Sequence, residues 1–349
     1  MVLLKGNEAI AEAAIKCGCT AYFGYPITPQ SEVIEYMAKR MPQVGGVCVQ
    51  AESEVAAVNM VLGAAAAGAR VMTSSSSPGI SLKTEGISYI VGSDLPCVIV
   101  NVQRGGPGLG GIQPAQSDYY QAVKALGHGD MRLIVLAPNS VQEIAELTTL
   151  AFDLADEYRT PVMILTDGAL GQMMEPMDFD KIKRRNVSEK TWAANGHNFK
   201  RGKNVINSLY LEPEDLEKTV IERYEKVYSK LEKEVRFEEF ETENADIVIV
   251  AYGISARIAK AAIEKLKKDG VKAGLFRPVT LNPFPSARLC ELADKTKRFA
   301  VVELNMGQMI DDVKLAIECK KPVDFFGRTG GIIPEPDEVY NAVMGFLGK

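Results

Sequence analysis

Short apolar runs alternate with helix-like stretches along residues 1–175. The runs are rich in β-branched residues and are bounded by turn residues, which is typical of strands. The strands predicted in this way are Thr20–Gly24, Val47–Gln50, Arg70–Ser74, Cys97–Gln103, Leu133–Ala137 and Pro161–Thr166. The helices predicted between them include Pro29–Lys39, Glu54–Ala67 and Asn139–Asp156. Because runs such as Val98–Val102 are almost continuously apolar, we expect a parallel sheet buried on both faces.

The pattern changes between residues 181 and 243, where charged residues dominate and strand-like runs are few. Residues Glu214–Val235 are predicted to form one charged helix. Its apolar residues recur every three or four positions, which is enough for one buried stripe. They are Leu216, Val220, Tyr224, Val227 and Leu231. We interpret this region as a connector lying on one or both domains, with outright disorder as the alternative.

Alternation resumes after residue 245. The predicted strands are Asp246–Tyr252, Lys272–Phe276, Arg298–Leu304 and Pro322–Phe326. The predicted helices are Ser255–Lys268, Ser286–Lys295, Gly307–Ile317 and Asp337–Leu347. The sequence therefore predicts an α/β protein with a parallel-sheet domain over 1–178, a charged connector over 179–245, and a smaller doubly wound domain over 246–349.

Composition excludes several classes of protein. The net charge of −5 and the isoelectric point near 5.4 argue against nucleic-acid and anionic-membrane binding. No apolar run approaches the ~18 residues needed to cross a bilayer. The N-terminus lacks the basic start and long apolar stretch of a signal peptide. We therefore expect a cytoplasmic protein that binds neither nucleic acid nor membrane.

The cysteines do not form a ligand motif. Cys17 and Cys19 are close, but as C-x-C, whereas structural zinc and iron–sulfur clusters need closely spaced pairs or a run of ligands. The other cysteines are Cys48, Cys97, Cys290 and Cys319. We expect free thiols in a reducing compartment and no metal site on this chain.

A glycine-rich segment, Gly106–Gly111, matches the dinucleotide motif G-x-G-x-x-G. That motif should open a helix directly, but Pro107 interrupts the loop and Pro114 stands where the helix should run. We favour a flexible loop at the carboxyl end of a strand, where α/β sheets place ligands. NAD or FAD binding is the alternative.

A run of hydroxyl side chains, Thr73–Ser77, precedes Pro78 and Gly79 at a predicted helix start. Such a run can hold an anion or let a cofactor approach closely, although a helix cap and a tight turn explain it equally well. A catalytic triad is disfavoured, because the chain has two histidines and no Gly-x-Ser-x-Gly elbow. We interpret His128 as part of a surface turn rather than of a site, and His197 lies in the connector.

Two carboxylates, Glu52 and Glu54, stand at the start of the helix predicted over Glu54–Ala67. A carboxylate at a helix start usually serves the helix dipole. This helix is almost entirely small or apolar, so we expect it to be deeply packed, with the glutamate at the edge of an apolar interior. A carboxylate in that setting can share a proton with a ligand nitrogen.

At these positions the sequence resembles the 2-oxoacid:ferredoxin oxidoreductases. The first domain carries three blocks in the family's order and spacing, Gly24-Tyr-Pro-Ile-Thr28-Pro, Gln50-Ala-Glu-Ser-Glu54-Val-Ala-Ala and Leu95-Pro-Cys-Val-Ile-Val-Asn-Val-Gln-Arg104. The second domain carries three more, Phe276–Pro285, Val302–Gln308 and Gly327–Pro336. The resemblance covers nearly the whole chain and is weakest over 181–243. The segments Thr73–Gly79 and Arg104–Gly111 look most like the branched-chain, 2-oxoisovalerate branch.

The resemblance implies a thiamine-diphosphate-binding domain followed by a transketolase carboxy-terminal-like domain. Glu54 would bond N1′ of the thiamine aminopyrimidine, Arg104 would pair with the 2-oxoacid, and Thr28 would lie beside the substrate. The further cofactor contacts would be Pro26, Ile27, Ser76 and Ser77. Chemistry supports these roles. A carboxylate at N1′ promotes loss of the C2 proton through the ring, and a guanidinium binds a carboxylate through two parallel hydrogen bonds.

Two parts of such an enzyme are missing from the sequence. The family's diphosphate and magnesium motif is Gly-Asp-Gly followed by Asn-Asn, whereas this chain has Thr166-Asp-Gly168 and no later Asn-Asn. Iron–sulfur ligands are also missing. The resemblance places Mg²⁺ and [4Fe–4S] clusters on partner chains, namely beta and gamma subunits and a ferredoxin-like delta subunit. This chain would be an alpha subunit that shares thiamine diphosphate with a partner.

The activity implied is conversion of a branched-chain 2-oxoacid, coenzyme A and oxidised ferredoxin to acyl-CoA, carbon dioxide and reduced ferredoxin. Pyruvate or 2-oxoglutarate on the same scaffold is one alternative. A non-catalytic assembly module is a second, and a dinucleotide-dependent dehydrogenase is a third.

Overall fold

The computed structural model describes residues 1–197 and 199–349, so Asn198 of the predicted connector lies outside the described residues. In chain order the strands are β1 (Val2–Lys5), β2 (Ala21–Gly24), β3 (Val47–Gln50), β4 (Val71–Ser75), β5 (Val98–Gln103), β6 (Ile134–Leu136), β7 (Val162–Asp167), β8 (Met174–Met177), β9 (Phe237–Phe240), β10 (Ile247–Val250), β11 (Ala273–Pro278), β12 (Thr280–Asn282), β13 (Arg298–Glu303) and β14 (Val323–Gly327).

The α-helices are α1 (Gly6–Lys16), α2 (Ser31–Arg40), α3 (Glu54–Ala66), α4 (Pro78–Gly92), α5 (Val141–Tyr158), α6 (Gly168–Gln172), α7 (Pro213–Lys226), α8 (Gly253–Lys268), α9 (Ser286–Lys295), α10 (Met309–Ala316) and α11 (Pro336–Phe346). Short 3-10 turns cover Met41–Val44, Phe179–Lys181 and Tyr228–Glu234, and a π turn covers Gln121–Ala125. The predicted α/β class is confirmed.

The first sheet has the strand order β12-β6-β7-β5-β4-β2-β3. The strands from β6 to β3 run parallel, and β12 joins β6 antiparallel. Every residue of β5 and β7 is buried, because helices cover both faces. All six strands predicted over residues 1–175 are present within a residue or two of their predicted bounds. The sequence pattern missed β1 and β8, which form a small antiparallel ladder.

The second sheet has the order β14-β13-β10-β11-β9. Its strands are parallel except β9, which pairs antiparallel with β11 and comes from the charged region before residue 245. β12 lies in the sequence range of the second domain but pairs with the first sheet. The two sheets are therefore joined by main-chain pairing as well as by side chains.

Gln116 is the centre of the contact between the two sheets. It is fully buried, and its side-chain amide donates to the Tyr252 carbonyl (2.9 Å) and accepts from Ser255 Oγ (2.7 Å) and Leu304 N (3.1 Å). Its backbone oxygen accepts from Asn305 Nδ2 (2.7 Å). Each polar atom of this glutamine is bonded, so the two sheets are held in a fixed relation.

The connector departs from the single helix predicted over 214–235. α7 ends at Lys226, and a 3-10 turn follows Val227. Leu216 (47% exposed) and Tyr224 (52% exposed) face outward, so the predicted buried stripe is wrong for them, although Leu231 is buried. The helix is held by Arg223, whose Nε donates to Asp94 Oδ1 at 2.7 Å. A charged contact replaces the expected apolar one.

The prediction that α3 is deeply packed holds for one face. Val58 is buried and lies so close to α4 that a Cβ on Gly86 would stand 2.4 Å from Val58 Cγ1. On the other face Val55 and Met60 are 45% and 36% exposed. The apolar composition that suggested a core helix therefore also supplies an exposed apolar face.

Candidate active site

The predicted site residues follow neighbouring strands of the first sheet. Thr28 follows β2, Glu54 follows β3 and opens α3, Ser76 and Ser77 follow β4, and Arg104 follows β5. These strands are parallel and adjacent, so their carboxyl ends lie on one edge of the sheet. The site residues therefore lie along the edge where α/β proteins place ligands.

Arg104 connects two loops at this edge. Its side chain is buried, and its Nη1 donates to the Thr28 carbonyl at 2.9 Å while Nη2 donates to the Leu109 carbonyl at 3.1 Å. Nε is buried and has no partner among the described residues. The guanidinium is thus fixed in position by main-chain oxygens and retains N–H capacity for a further acceptor.

Glu54 is the first residue of α3 and is 6% exposed, whereas Glu52 is exposed. The N-cap role belongs to Ser53, whose Oγ accepts from Ala56 N at 3.1 Å. Glu54 is therefore not needed as a cap. A Cβ on Gly79 would stand 2.7 Å from Glu54 Oε1 and 2.1 Å from Ser75 Oγ, so glycine is needed where both side chains meet α4.

The hydroxyl run contains buried groups without protein partners. Within the described part of the chain, the hydroxyls of Thr73, Ser75 and Ser76 are buried and form no hydrogen bond. Ser74 is different, because its Oγ donates to Gln30 Oε1 (2.5 Å) and contacts Tyr22 Oη (2.6 Å). An unpaired buried hydroxyl is unfavourable, and Ser75 Oγ and Glu54 Oε1 both approach Gly79, so this part of the run indicates a place for a polar ligand.

Ser77 has a left-handed backbone (φ 27°), which is uncommon for a residue with a side chain. Its Oγ does not cap α4. It donates to Asp118 Oδ2 at 2.6 Å and accepts from Arg104 N at 3.0 Å. Asn101 Nδ2 also donates to Asp118 at 2.9 Å, and burial raises the Asp118 pKa. This network fixes Ser77 against the start of the Arg104 loop, and the plain helix-cap interpretation is wrong.

The remaining predicted contacts are less enclosed. Pro26 and Thr28 are exposed and Ile27 is partly buried, on the loop between β2 and α2. Thr28 is joined to Arg104 through its carbonyl rather than its hydroxyl. The structure therefore joins Thr28 with Arg104 and Ser77, and Glu54 with the hydroxyl run, and leaves Pro26 and Ile27 at the rim.

Sequence reasoning missed Lys83, Gln30 and Asp118. Lys83 is fully buried on α4, and its Nζ donates to the Glu54 carbonyl at 3.4 Å. A signal was present, because Gly79, Lys83 and Gly86 are four and three residues apart and share one helix face. Gln30 and Asp118 had no comparable signal, since their contacts come from distant segments.

The other candidates lie outside the site. His128 is exposed in a turn, with its backbone N–H donating to Ser88 Oγ, as the favoured interpretation predicted. The glycine loop 106–111 is exposed, and no helix opens directly after it, which disfavours a dinucleotide fingerprint. Asp167 caps α6 through Ala169 N (2.9 Å) and Leu170 N (3.1 Å), and burial raises its pKa to about 6.

Residues 1–197 and 199–349 contain no helix long and apolar enough to cross a membrane. The same residues contain no group of three His, Cys, Asp or Glu side chains placed to hold a metal ion.

Two family models together match most of the chain. Residues 12–246 match the family described as pyruvate flavodoxin/ferredoxin oxidoreductase, thiamine diP-binding, and residues 245–339 match the pyruvate:ferredoxin oxidoreductase core domain II. The chain belongs to the 2-oxoacid:ferredoxin oxidoreductase family.

Individual relatives are similar over nearly their whole length. The chain is 50% identical to the ketoisovalerate oxidoreductase subunit VorB of Methanothermobacter marburgensis, over 99% of this chain and 98% of the relative. It is 36% identical to the 2-oxoglutarate synthase subunit KorA of the same organism, over 98% of both chains.

Solved structures give the same picture of the fold. The 2-oxoglutarate:ferredoxin oxidoreductase from Magnetococcus marinus, with 2-oxoglutarate, coenzyme A and succinyl-CoA bound, matches with a TM-score of 0.87 at 29% identity. The match covers 99% of this chain but 65% of that one. A split-gene transketolase, an inactive beta4 tetramer, matches with a TM-score of 0.63 at 17% identity and supports the fold alone.

Proposed function

We propose that this chain is the pyrimidine-binding alpha subunit of a complex that oxidises a branched-chain 2-oxoacid. The reaction is 2-oxoacid plus coenzyme A plus two oxidised ferredoxins, giving acyl-CoA, carbon dioxide, a proton and two reduced ferredoxins. One observation carries the proposal, namely a buried carboxylate, Glu54, close to the buried Ser75 hydroxyl, which no other described group satisfies.

The residues present fit the pyrimidine end of thiamine diphosphate. An aminopyrimidine ring carries nitrogens that accept and donate hydrogen bonds, and Glu54, Ser75 and Ser76 offer a carboxylate and hydroxyls in a buried setting. Gly79 has no side chain, so α4 does not fill the space beside Glu54 Oε1 and Ser75 Oγ. Asp167, in the Thr166–Gly168 segment that stands where the diphosphate motif would be, is engaged as a helix cap.

Thiamine, when bound, supplies a carbon nucleophile that can add to a 2-oxo group and take up the electrons released with carbon dioxide. The role of this chain is to control a proton at the ring. Glu54 would accept a hydrogen bond at N1′ and stabilise a proton there, in a position that is 6% exposed to solvent. Glu52, being exposed, cannot take that role.

Arg104 is proposed to bind the substrate carboxylate. Its guanidinium is already fixed by the Thr28 and Leu109 carbonyls, so little conformational entropy is lost when an anion binds to the remaining N–H groups. Thr28 is on the neighbouring loop, between β2 and α2, and is exposed, so its hydroxyl can donate to a substrate oxygen.

The exposed face of α3 and α4 supports a partner subunit at this edge. Val55 and Met60 on α3, and Leu82 and Tyr89 on α4, are between 36% and 55% exposed, and Glu54 opens the first of these two helices. An apolar face beside half a cofactor site suits a chain that completes the site. We propose that a beta subunit binds there with the diphosphate and Mg²⁺, and that [4Fe–4S] clusters lie on gamma and ferredoxin-like delta subunits.

The substrate assignment rests on similarity. The ketoisovalerate relative is 50% identical, against 36% for the 2-oxoglutarate relative, and both align over nearly the full chain. We therefore place 2-oxoisovalerate first and keep 2-oxoglutarate and pyruvate as alternatives. We also propose a cytoplasmic location, in keeping with six cysteines that form no disulfide.

The test is reconstitution with the proposed partner chains. The complex should reduce ferredoxin in a reaction that requires coenzyme A, with kcat/KM for 2-oxoisovalerate above that for 2-oxoglutarate and pyruvate. Preference for 2-oxoglutarate would overturn the proposed substrate but would leave the proposed enzyme class, a 2-oxoacid:ferredoxin oxidoreductase, in place. No turnover of any 2-oxoacid by a complex that binds thiamine would favour an assembly module.

A further inference from the structure

Lys83 is a buried cation to which the proposed reaction assigns no role. It lies on α4, and its side chain is completely buried. Its Nζ makes one hydrogen bond within the described part of the chain, a long one of 3.4 Å to the Glu54 carbonyl, and no ion pair. A buried ammonium group normally has a close carboxylate or several acceptors, so this environment is unusual.

The position of Lys83 follows from its helix face. Gly79, Lys83 and Gly86 are spaced four and three residues apart, so they point the same way from α4. A Cβ on Gly79 would stand 2.7 Å from Glu54 Oε1, and one on Gly86 would stand 2.4 Å from Val58 Cγ1. This face therefore lies against the beginning of α3, and Lys83 lies between the two points of closest approach.

The electrostatics connect Lys83 with Glu54. Burial lowers the Lys83 pKa from 10.5 to about 8, and the negative charge of Glu54 opposes that shift. Glu54 is the one charged group among the described residues that acts on the Lys83 ammonium. Lys83 is thus mostly protonated at neutral pH. Its burial brings no evident structural gain, because an apolar side chain of similar length would fit without the desolvation cost.

We propose that Lys83 is a positioning residue that holds the first turn of α3 and supplies a buried positive charge next to Glu54 at the cofactor site. The proposal rests on the function proposed above for Glu54. A buried cation next to the start of α3 favours the anionic carboxylate, so that a proton shared with a ring nitrogen resides on the nitrogen. Lys83 acts through Glu54 and does not itself touch the reacting atoms.

The first test is Lys83→Met in the assembled complex. We expect kcat to fall about tenfold, as a tenfold change in one ionisation equilibrium would give, with KM for the 2-oxoacid nearly unchanged. The wild-type rate should decline as pH rises through the Lys83 pKa near 8, and the variant should lack that decline. Lys83→Arg, which keeps its charge at high pH, should recover part of kcat and also lack the decline. If the Lys83→Met chain does not assemble, Lys83→Gln is used for the same measurement.

The second test uses the full chain without cofactor. Because the folded-state pKa of Lys83 is depressed, the unfolded chain binds more protons between pH 8 and 10.5, and the Lys83 contribution to stability rises with pH across that window. Lys83→Met should therefore have a higher Tm than wild type at pH 7, and the difference should shrink as pH rises to 10.5. Ile87→Val, a buried change on the same helix, should show a difference that is constant with pH.

The outcomes separate this inference from the function on which it rests. A Lys83→Met complex with normal kcat and an unchanged pH profile overturns the inference, and so does a variant that is less stable at pH 7. If Glu54→Gln turns over normally, the proposed role of Glu54 is wrong. If Glu54→Gln is inactive while Lys83→Met is normal, the role of Lys83 alone is wrong.

Discussion

Two buried polar regions of this molecule are alike in burial and opposite in hydrogen bonding. Where the sheets meet, Gln116 and Glu303 are fully buried, and each side-chain oxygen of Glu303 accepts two hydrogen bonds, from Asn305 and the first turn of α10. At the edge of the first sheet, Ser75 and Ser76 are equally buried, and their hydroxyls have no hydrogen-bond partner in the described residues. The hydrogen bonds of the first region are complete, and those of the second region are not.

The difference distinguishes buried polar groups that stabilise the fold from buried polar groups that are available to bind a ligand. A saturated network rigidifies a contact and specifies one arrangement, whereas unsatisfied buried groups are costly unless something else completes them. The strained backbone of Ser77 lies in the second region as well. We infer that selection for ligand binding, rather than for stability, explains the polar residues at the carboxyl ends of β3, β4 and β5.

The largest effect is expected from Glu54→Gln. It should lower turnover of the assembled complex by about 10²- to 10⁴-fold, the range that positioned proton transfer contributes. Gln is close to Glu in size, so assembly should survive. Glu52→Gln is the matched control, since Glu52 is exposed two residues earlier, and it should leave turnover largely unaffected. Equal losses in both variants would mean that charge at the helix start, not the site, matters.

Arg104→Ala is expected to harm substrate use more than cofactor binding. Loss of a charge-assisted contact costs about 2–4 kcal/mol, so kcat/KM should fall roughly 30- to 1000-fold. Arg104→Lys keeps the charge but loses the fork that spans the Thr28 and Leu109 carbonyls, so it should recover little. Steady-state kinetics with the 2-oxoacid check this, and near-normal kcat/KM in either variant would remove Arg104 as carboxylate partner.

Gln116→Leu tests the saturated region. It leaves the Leu304 N–H and the Ser255 hydroxyl without the side-chain oxygen that accepts from them, so the free energy of unfolding should fall by about 2–4 kcal/mol. Denaturant titration measures the change. Gln43→Leu, at an exposed position, should alter stability by less than about 0.5 kcal/mol. A small effect at Gln116 would weaken the contrast between the two regions.

Asp167 gives the smallest expected effect, a pH dependence. Its folded-state pKa is raised from 3.8 to about 6, so the folded chain binds more protons between these values. The contribution of Asp167 to stability is therefore greatest below pH 3.8 and is lost as pH rises to about 6, by on the order of 1–3 kcal/mol. Asp167→Asn should remove this contribution in thermal unfolding. A difference from wild type that does not vary with pH would contradict it.

Most of the architecture could be predicted from the sequence, because a buried parallel sheet produces continuous apolar runs. The strands that were missed are short and carry polar residues or proline, as in β8 (Met-Glu-Pro-Met) and β9 (Phe-Glu-Glu-Phe). Their pairing depends on partners distant in sequence, which a local pattern does not contain. The buried stripe predicted for α7 is wrong at Leu216 and Tyr224, because Arg223 holds that helix through a charged contact with Asp94.

The site was predicted unevenly for a similar reason. Glu54, Arg104 and Thr28 come from motifs that a resemblance can locate, and their assigned roles stay predictions. Lys83 and Asp118 belong to no such motif, and their placement depends on how α4 packs on α3 and on how the chain returns after the glycine loop. The proposed division at residues 178 and 245 also stays a prediction.

The most direct test of the proposed role of Glu54 is hydrogen–deuterium exchange at C2 of thiamine bound to the assembled complex, followed by NMR. Glu54 is proposed to stabilise a proton at N1′, so exchange in Glu54→Gln should be slowed by about the same factor as turnover, while Glu52→Gln exchanges at the wild-type rate. Wild-type exchange in Glu54→Gln, or slowing confined to Glu52→Gln, would contradict the assignment of the buried carboxylate.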